Sequence, residues 1–393
     1  MIKVDIAIIG GGITGCSVAY FLSKSGKAGS VAVIEPDPTY EMATTPRGAG
    51  GVRQLFSIPE NIRMSAYSLE FYKTFDEVMA INGEAPGTNF RANGYLFVAN
   101  SSDSARMLVE NAKLQRAEGA NVEVLDGPKL GKTFPSLNTV DVIAACHSPD
   151  DGWLDPTAAM WGFRKKAQSL GAGYIKDRVV GFRQAAHKIE AAELGSGETI
   201  VADVFINVAG PWSGEVAAMA GIDIPIKPLS RVAHFWRAAE PIEQLPFIKD
   251  DSNIGFRPEG NGFMGGRVTL DKGPGFDWDF DRGFFATYFE DAVWPLLAGR
   301  VKAFETLRLE RTWGCHYSQN WFDGNMIIGP LSKKLENFLI ASGFSGHGIM
   351  HAPATGLALS ELVLSGGYQT IDLTRLGVHR VHDNLPYAER GIT

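Results

Sequence analysis

Ten residues into the chain an apolar strand gives way to a run of glycines, and that junction limits what the rest can fold into. Val4 to Ile9 (Val-Asp-Ile-Ala-Ile-Ile) read as a buried strand, followed at once by Gly10-Gly11-Gly12-Ile13-Thr14-Gly15. From Cys16 the spacing is helical as far as Gly26, and Val31-Ala-Val-Ile-Glu35 is a second apolar strand closed by an acid. Strand, glycine turn, helix, strand and acid are the parts of a dinucleotide-binding unit. Gly10 permits the tight turn out of the strand. Gly12, without a Cβ, lets a pyrophosphate approach the backbone, and Gly15 lets helix and strand pack closely. The N–H groups at the helix start, at Ile13 and Thr14, then face the anion. Glu35 stands 20 residues after Gly15, where a carboxylate accepts hydrogen bonds from a ribose 2′-hydroxyl and repels a 2′-phosphate, which disfavours NADP. FAD and NAD both satisfy the unit.

The chain has 393 residues, a length that suggests two domains, or one with a large insertion. Acidic residues outnumber basic ones, 44 to 37, for a formal charge of −7, which argues against nucleic acid or an anionic membrane as the main partner. Cys16, Cys146 and Cys315 are scattered, a pattern of neither a disulfide framework nor a structural zinc site. The start does not read as a signal peptide, and no apolar run approaches the roughly 20 residues that span a bilayer. A cytoplasmic protein without stable membrane insertion is the expectation.

Beyond Glu35, a loop from Pro36 to Pro46 carries Thr44 and Thr45 and leads into Arg47-Gly-Ala-Gly-Gly51-Val-Arg53. This glycine-rich segment reads as a strip passing under a cofactor ring or as an ordinary connection. Residues 60–80 and 101–118 have helical patterns, with a strand from Tyr95 between them. Asp155 followed by Pro156 is a helix start, cap then first residue. Val179 to Phe182 and Thr199 to Val208 read as strands. The second ends in Ala209-Gly210-Pro211-Trp212, at the sheet edge where open α/β folds hold ligands. Residues 224–310, with Arg231, Arg237, Arg257 and Arg267 at intervals, suggest a second, mostly antiparallel layer. The strand Phe338-Leu-Ile-Ala-Ser then runs into Gly343-Phe-Ser-Gly346-His347-Gly348 and a helix over 349–365, leaving a polar tail at 376–393. Nucleotide-binding pieces spread over both ends and the middle favour a flavin over NAD.

Together these residues resemble the D-amino-acid oxidase superfamily of FAD-dependent amine oxidoreductases, in the branch of sarcosine oxidase, dimethylglycine dehydrogenase and glycine oxidase. The segments that carry the likeness are Gly10 to Gly15, Glu35, Gly50-Gly-Val-Arg-Gln-Leu-Phe, Ala209 to Trp212, Phe256-Arg-Pro-Glu-Gly260, Asp323-Gly-Asn-Met-Ile-Ile-Gly-Pro330 and Gly343 to Gly348. The resemblance implies an α/β, Rossmann-like FAD-binding domain in three pieces (1–80, 146–216 and 321–375). It also implies an α+β substrate domain on an antiparallel sheet (81–145 and 217–320), with 376–393 as a tail. In chemistry it implies oxidation of a C–N bond, with hydride passing to flavin N5 and hydrolysis of the imine. The substrate would be a small amino-acid-like amine such as sarcosine, dimethylglycine or iminodiacetate.

Carried onto this chain, the resemblance has Val179 meeting adenine through its backbone. Pro36, Thr44, Thr45, Arg47, Gly51, Ala209, Gly210, Trp212 and Gly343 would follow the cofactor. Gly346, His347 and Gly348, with Ile349 and Met350 behind them, would start a helix whose positive end steadies negative charge on the reduced ring. Arg53, or else Arg257, would hold the substrate carboxylate, since a fork of donors suits one; a structural ion pair is the other reading of each. Cys315 stands where some sarcosine oxidases attach FAD covalently; the alternatives are such a thioether and a small buried hydrophobe beside non-covalent FAD. His347 and His351 are four apart on a helix, but no Glu follows the first and no third ligand is evident, so no metal is expected. Met350 and Met264 stand where monomeric sarcosine oxidases carry lysines. That leaves open whether electrons pass to molecular oxygen or to an electron-transfer acceptor. Two other readings stand beside this one: a flavin-binding assembly or accessory protein of a respiratory complex, which the Gly-Gly-Val-Arg-Gln and Phe-Arg-Pro-Glu-Gly segments also resemble, and an NAD enzyme.

Overall fold

A computed structural model describes residues 1–268, 272–280 and 287–392. Its centre is a six-stranded sheet in the order Ile327–Pro330, Phe338–Ser342, Val204–Asn207, Ile6–Ile9, Val31–Ile34 and Gly173–Ile175. All neighbours run parallel except the first pair. Strands such as Ile-Ala-Ile-Ile are apolar on both faces because both faces are covered. One face packs against helices Ile13–Ser25, Pro59–Lys73, Pro156–Ser169 and Gly348–Ser365. The other meets a four-stranded sheet and the short helix Ser213–Met219.

The expected strand Thr199 to Val208 is two strands, and the expected Val4 to Ile9 is Ile6–Ile9, preceded by a separate strand, Ile2–Lys3. Ile2–Lys3 pairs with Thr199–Val201 in the four-stranded sheet, whereas Ile6–Ile9 pairs with Val204–Asn207 in the central one. The chain changes sheet at Asp5 and Asp203 together. The Asp5 carboxylate accepts from the Ser30 N–H and hydroxyl, and its carbonyl accepts from the N–H groups of Asp203 and Val204. The expected helix over 60–80 ends earlier, with Pro59–Lys73 followed by a separate turn, Phe75–Val78. At Asp155 the cap forms as expected, its side chain accepting from the N–H groups of Thr157 and Ala158.

The second layer is an eight-stranded sheet in the order Arg308–Asn320, Ile226–Arg237, Gly262–Arg267, Ile254–Glu259, Phe247–Asp250, Tyr95–Ala99, Ala144–Ser148 and Glu123–Leu125. Only Phe247–Asp250 and Tyr95–Ala99 pair parallel. The boundary expected at 146 falls inside a strand of this sheet. Side chains alternate between its faces. Trp236, Ile248, Ile254 and Phe256 pack beneath with Val293, Leu297 and Phe304. Arg231, Ala233, Lys249, Gly255, Met264 and Gly266 lie on the opposite face, toward the parallel sheet.

The polar stretch 376–393 is not a loose tail over the residues described. Arg380 is 3% exposed, pairs with the buried Asp323 and donates to the carbonyls of Asn325 and Met326. Glu389 accepts from Ser57 and Asn61 near the start of helix Pro59–Lys73. Arg380 and Glu389 thus turn their polar groups inward, while His379, His382, Asp383 and Asn384 are exposed. Among the described residues no helix is long and apolar enough to cross a membrane.

Candidate active site

A cavity of about 930 Å³ lies between the two layers. At one end it is bounded by the first glycine turn. Gly10 has φ +107°, and a Cβ there would stand 2.6 Å from the Val208 carbonyl oxygen. A Cβ on Gly15 would stand 1.9 Å from the Gly10 oxygen, so this residue works behind the wall and does not line the cavity. A Cβ on Gly12 would project into open space, its nearest neighbour Thr45 Oγ1 at 4.0 Å. That opening is the place where a phosphate can meet the start of helix Ile13–Ser25. Glu35 accepts from the Gly11 N–H and the Asp37 N–H, both at 2.8 Å. Burial pushes its carboxyl up, partly offset by those two donors. Gly11, which the spacing argument left without a role, is needed for this: a Cβ there would come within 2.9 Å of Glu35 Cβ.

Most other expected cofactor residues line the same cavity: Pro36, Thr44, Thr45, Arg47 and Gly51 from the connecting loop, then Val179, Ala209, Gly210 and Trp212 from the middle of the chain. Arg47 is anchored across to the eight-stranded sheet by a 2.7 Å bond to the Gly314 carbonyl. Gly343 is not on the cavity surface. With φ +81° it turns the chain out of strand Phe338–Ser342 and packs against Ile226.

At the far end stands the start of helix Gly348–Ser365. Gly346 has φ +99°, and a Cβ there would stand 2.7 Å from the Tyr317 ring. Gly346 to Met350 all face the cavity. His347 Nε2 lies 3.2 Å from an Arg53 guanidinium nitrogen. A guanidinium only donates, so Nε2 accepts and the ring is neutral. Burial first, then the charge of Arg53, holds His347 well below its ordinary range. His351 is buried against the Ser65 hydroxyl, 3.0 Å away. Among the described residues no group of three or more His, Cys, Asp or Glu is placed to hold a metal ion.

The two arginines expected to bind a carboxylate are held otherwise. Arg53 borders the cavity but is 1% exposed, donating to the Leu55 carbonyl and to His347 and lying over the rings of Phe56 and Phe97. Arg257 does not reach the cavity at all. It donates to Ala49 O at 2.7 Å and Pro258 O at 2.8 Å and pairs with Glu259, so it holds the glycine loop in place. The cations that line the cavity from the large sheet are Arg231, Lys249 and Arg267. Arg231 sits 5.2 Å from the Tyr317 ring centre. Burial, with Arg53 and Arg231 adding to it, pulls Lys249 down to about 7. Arg231 and Arg267 are among the arginines at intervals along 224–310. Lys249 left one faint signal, a lysine inside the apolar strand Phe-Ile-Lys-Asp. Cys315 also faces the cavity, its thiol pushed up to about 12 by burial and so protonated at neutral pH.

A long cavity with glycine-made backbone and a helix start at each end fits a dinucleotide carrying a ring system, as FAD does. The chain agrees with known proteins on this point. A family model described as FAD-dependent oxidoreductase matches residues 5–362. FAD-dependent oxidoreductase domain-containing protein 1 of Bos taurus is 35% identical over 94% of this chain and 83% of its own length. Mitochondrial sarcosine dehydrogenase of Mus musculus is 24% identical over 97% of this chain, but that match covers 42% of the mouse protein. Among solved structures, L-proline dehydrogenase from P. horikoshii superposes with a TM-score of 0.87 at 28% identity, covering 98% of this chain and 100% of that one.

Proposed function

The chain belongs to the DAO family of FAD-dependent oxidoreductases, and from that premise we propose that it oxidises the C–N bond of a small secondary or tertiary amino acid, an N-substituted glycine such as sarcosine, dimethylglycine or iminodiacetate. The observation that carries this reading is the cationic end of the cavity, where Arg231 and Lys249 come from neighbouring parts of one sheet face. A substrate carboxylate held by a guanidinium and an ammonium is oriented as well as bound. Bound FAD supplies the two-electron acceptor, taking hydride from the carbon beside the nitrogen. Around it, the start of helix Gly348–Ser365 offers partial positive charge and N–H donors to negative charge on the reduced ring. His347, neutral and fixed by Arg53, completes that wall. The imine product hydrolyses in water, and the electrons then leave to molecular oxygen or to an electron-transfer acceptor.

The test is to mix FAD-loaded protein anaerobically with a panel of N-substituted glycines and follow the visible flavin absorbance. Bleaching by at least one amine is expected. FAD-loaded protein that no amine in the panel bleaches would overturn the reading and leave a flavin-binding accessory protein in its place. Readmitting air separates the two acceptors: rapid return of colour marks an oxidase, slow return a dehydrogenase.

A further inference from the structure

We propose that Lys249 takes the proton from the ammonium nitrogen of an incoming zwitterionic substrate, a role that rests on the amine-oxidising reading above. Hydride leaves the carbon beside nitrogen readily only when the nitrogen has a lone pair to share with the carbon as the imine forms. An amino acid arriving protonated must therefore give up a proton inside the cavity, and a positioned base is the device for that.

The sheet register places Lys249 for it. Lys249 pairs with Gly255, and Gly255 pairs with Gly266. Paired residues project from the same face, so the next two positions across the sheet on that side of the lysine carry no side chain, while Phe97 pairs with it on the other side. A Cβ on Gly255 would stand 3.3 Å from Lys249 Cγ and 3.7 Å from its Cε. The lysine stem therefore lies across a glycine strip, and all three residues border the cavity.

Charged and titratable groups that share this part of the cavity's lining come from several elements. Arg53 follows the glycine loop, Arg231 comes from Ile226–Arg237 and Arg267 from Gly262–Arg267. Tyr95 stands on the adjoining strand, Cys315 and Tyr317 on Arg308–Asn320, His347 at the helix start and Glu389 on the C-terminal segment. Burial holds Tyr95, Tyr317 and Cys315 protonated and His347 unprotonated near neutral pH, so none of these four is charged there. Glu389 already accepts from Ser57 and Asn61. The like charges of Arg53 and Arg231 work against an ammonium on Lys249.

A carboxylate entering this end reverses the balance. Its negative charge favours the charged form of the lysine, so the substrate's acid group strengthens the base that receives the substrate's own proton. In the step an N–H bond of the ammonium breaks and an N–H bond on Nζ forms. The electron pair stays on the substrate nitrogen, nothing is oxidised, and no other reagent is needed.

The experiment uses (methylthio)acetate, which carries the carboxylate but has sulfur in place of the amine. FAD-loaded protein in weakly buffered solution with a pH indicator is titrated with it, binding being read from the flavin spectrum. With nothing on the ligand to give up, the proton must come from solvent. Uptake is expected above pH about 7, fading below about 6 where the lysine is already charged. Lys249→Met and Lys249→Arg should both abolish uptake, and Lys249→Arg should still bind; a native flavin spectrum checks that each variant folds. Uptake that persists in both variants, binding without uptake in the wild type, or no binding by the wild type would each overturn the proposal. Amine bleaching combined with any of those results removes the role of Lys249 and leaves amine oxidation standing. No bleaching by any amine removes both.

Discussion

The two ends of the cavity are made in different ways. The nucleotide end is backbone: Gly10, Gly11, Gly12 and Gly15 act by lacking side chains, and the one side chain that matters, Glu35, is itself held by backbone N–H groups. These residues lie within the first 35, although Val179, Ala209 and Trp212 from farther along the chain line the same cavity. The substrate end is made of side chains. Arg53, Arg231, Lys249 and His347 come from four separate elements and meet only because two sheets and a helix close on one space. A site built from backbone can grip the same cofactor whatever the rest of the chain binds. A site built from side chains can be changed one residue at a time.

The sharpest way to break this contrast is Gly15→Ala. Its Cβ would stand 1.9 Å from a backbone oxygen that has no freedom to move. A loss of about 3 kcal/mol or more is expected, seen as little soluble yellow protein and a sharply lowered Tm. A variant that purifies with FAD and a near-native Tm would show that the nucleotide end is not backbone-limited. Next in size is Arg231→Met. Removing a charged partner from a buried carboxylate site costs about 2–3 kcal/mol, or roughly 30- to 160-fold in apparent substrate affinity. The dependence of anaerobic bleaching on amine concentration measures this, and FAD should be retained. Loss of FAD as well would mean the two ends are not separable. The smallest effect is expected from Cys315→Ala. A thiol kept protonated is a poor nucleophile, so FAD should leave both wild type and variant on acid precipitation, giving colourless pellets. A yellow wild-type pellet would reveal a covalent link and tie the catalytic end to the cofactor as firmly as the glycines do.

The same contrast explains what could be read in advance. Local spacing was enough to find the glycine turn, Glu35, the Asp155 cap and the glycine turn before the last long helix, because each is a short-range physical requirement. Arg231 and Arg257 stood out at intervals in a strand-rich stretch, and Lys249 did not stand out. Such spacing could not say that the Ala49–Gly51 loop covers Arg257 and leaves the other two on the cavity, since that depends on contacts over some 200 residues of separation. Asp5 and Asp203 hid their sheet change because a single acid in an apolar run reads as an interruption, and nothing local says that two such interruptions coincide. The inward anchoring of Arg380 and Glu389 within the polar tail 376–393 was missed for a related reason. Hydropathy measures affinity for water and cannot see a buried Arg380–Asp323 pair that satisfies itself.

The placing of Glu389 beside Ser57 and Asn61 also sets an order in time. A ribosome makes the glycine turn first and the residues that close the cavity behind Arg53 more than 300 residues later. Strand Ile6–Ile9 can pair with Val204–Asn207 midway through synthesis, but the helix at Gly348 and the segment carrying Glu389 are still to come. Domains tend to fold as they emerge; here the emerging chain can present a nucleotide grip long before it owns a finished pocket. Cofactor added during translation would meet half a site, so the time at which flavin becomes trapped against exchange marks the completion of the chain's last hundred residues.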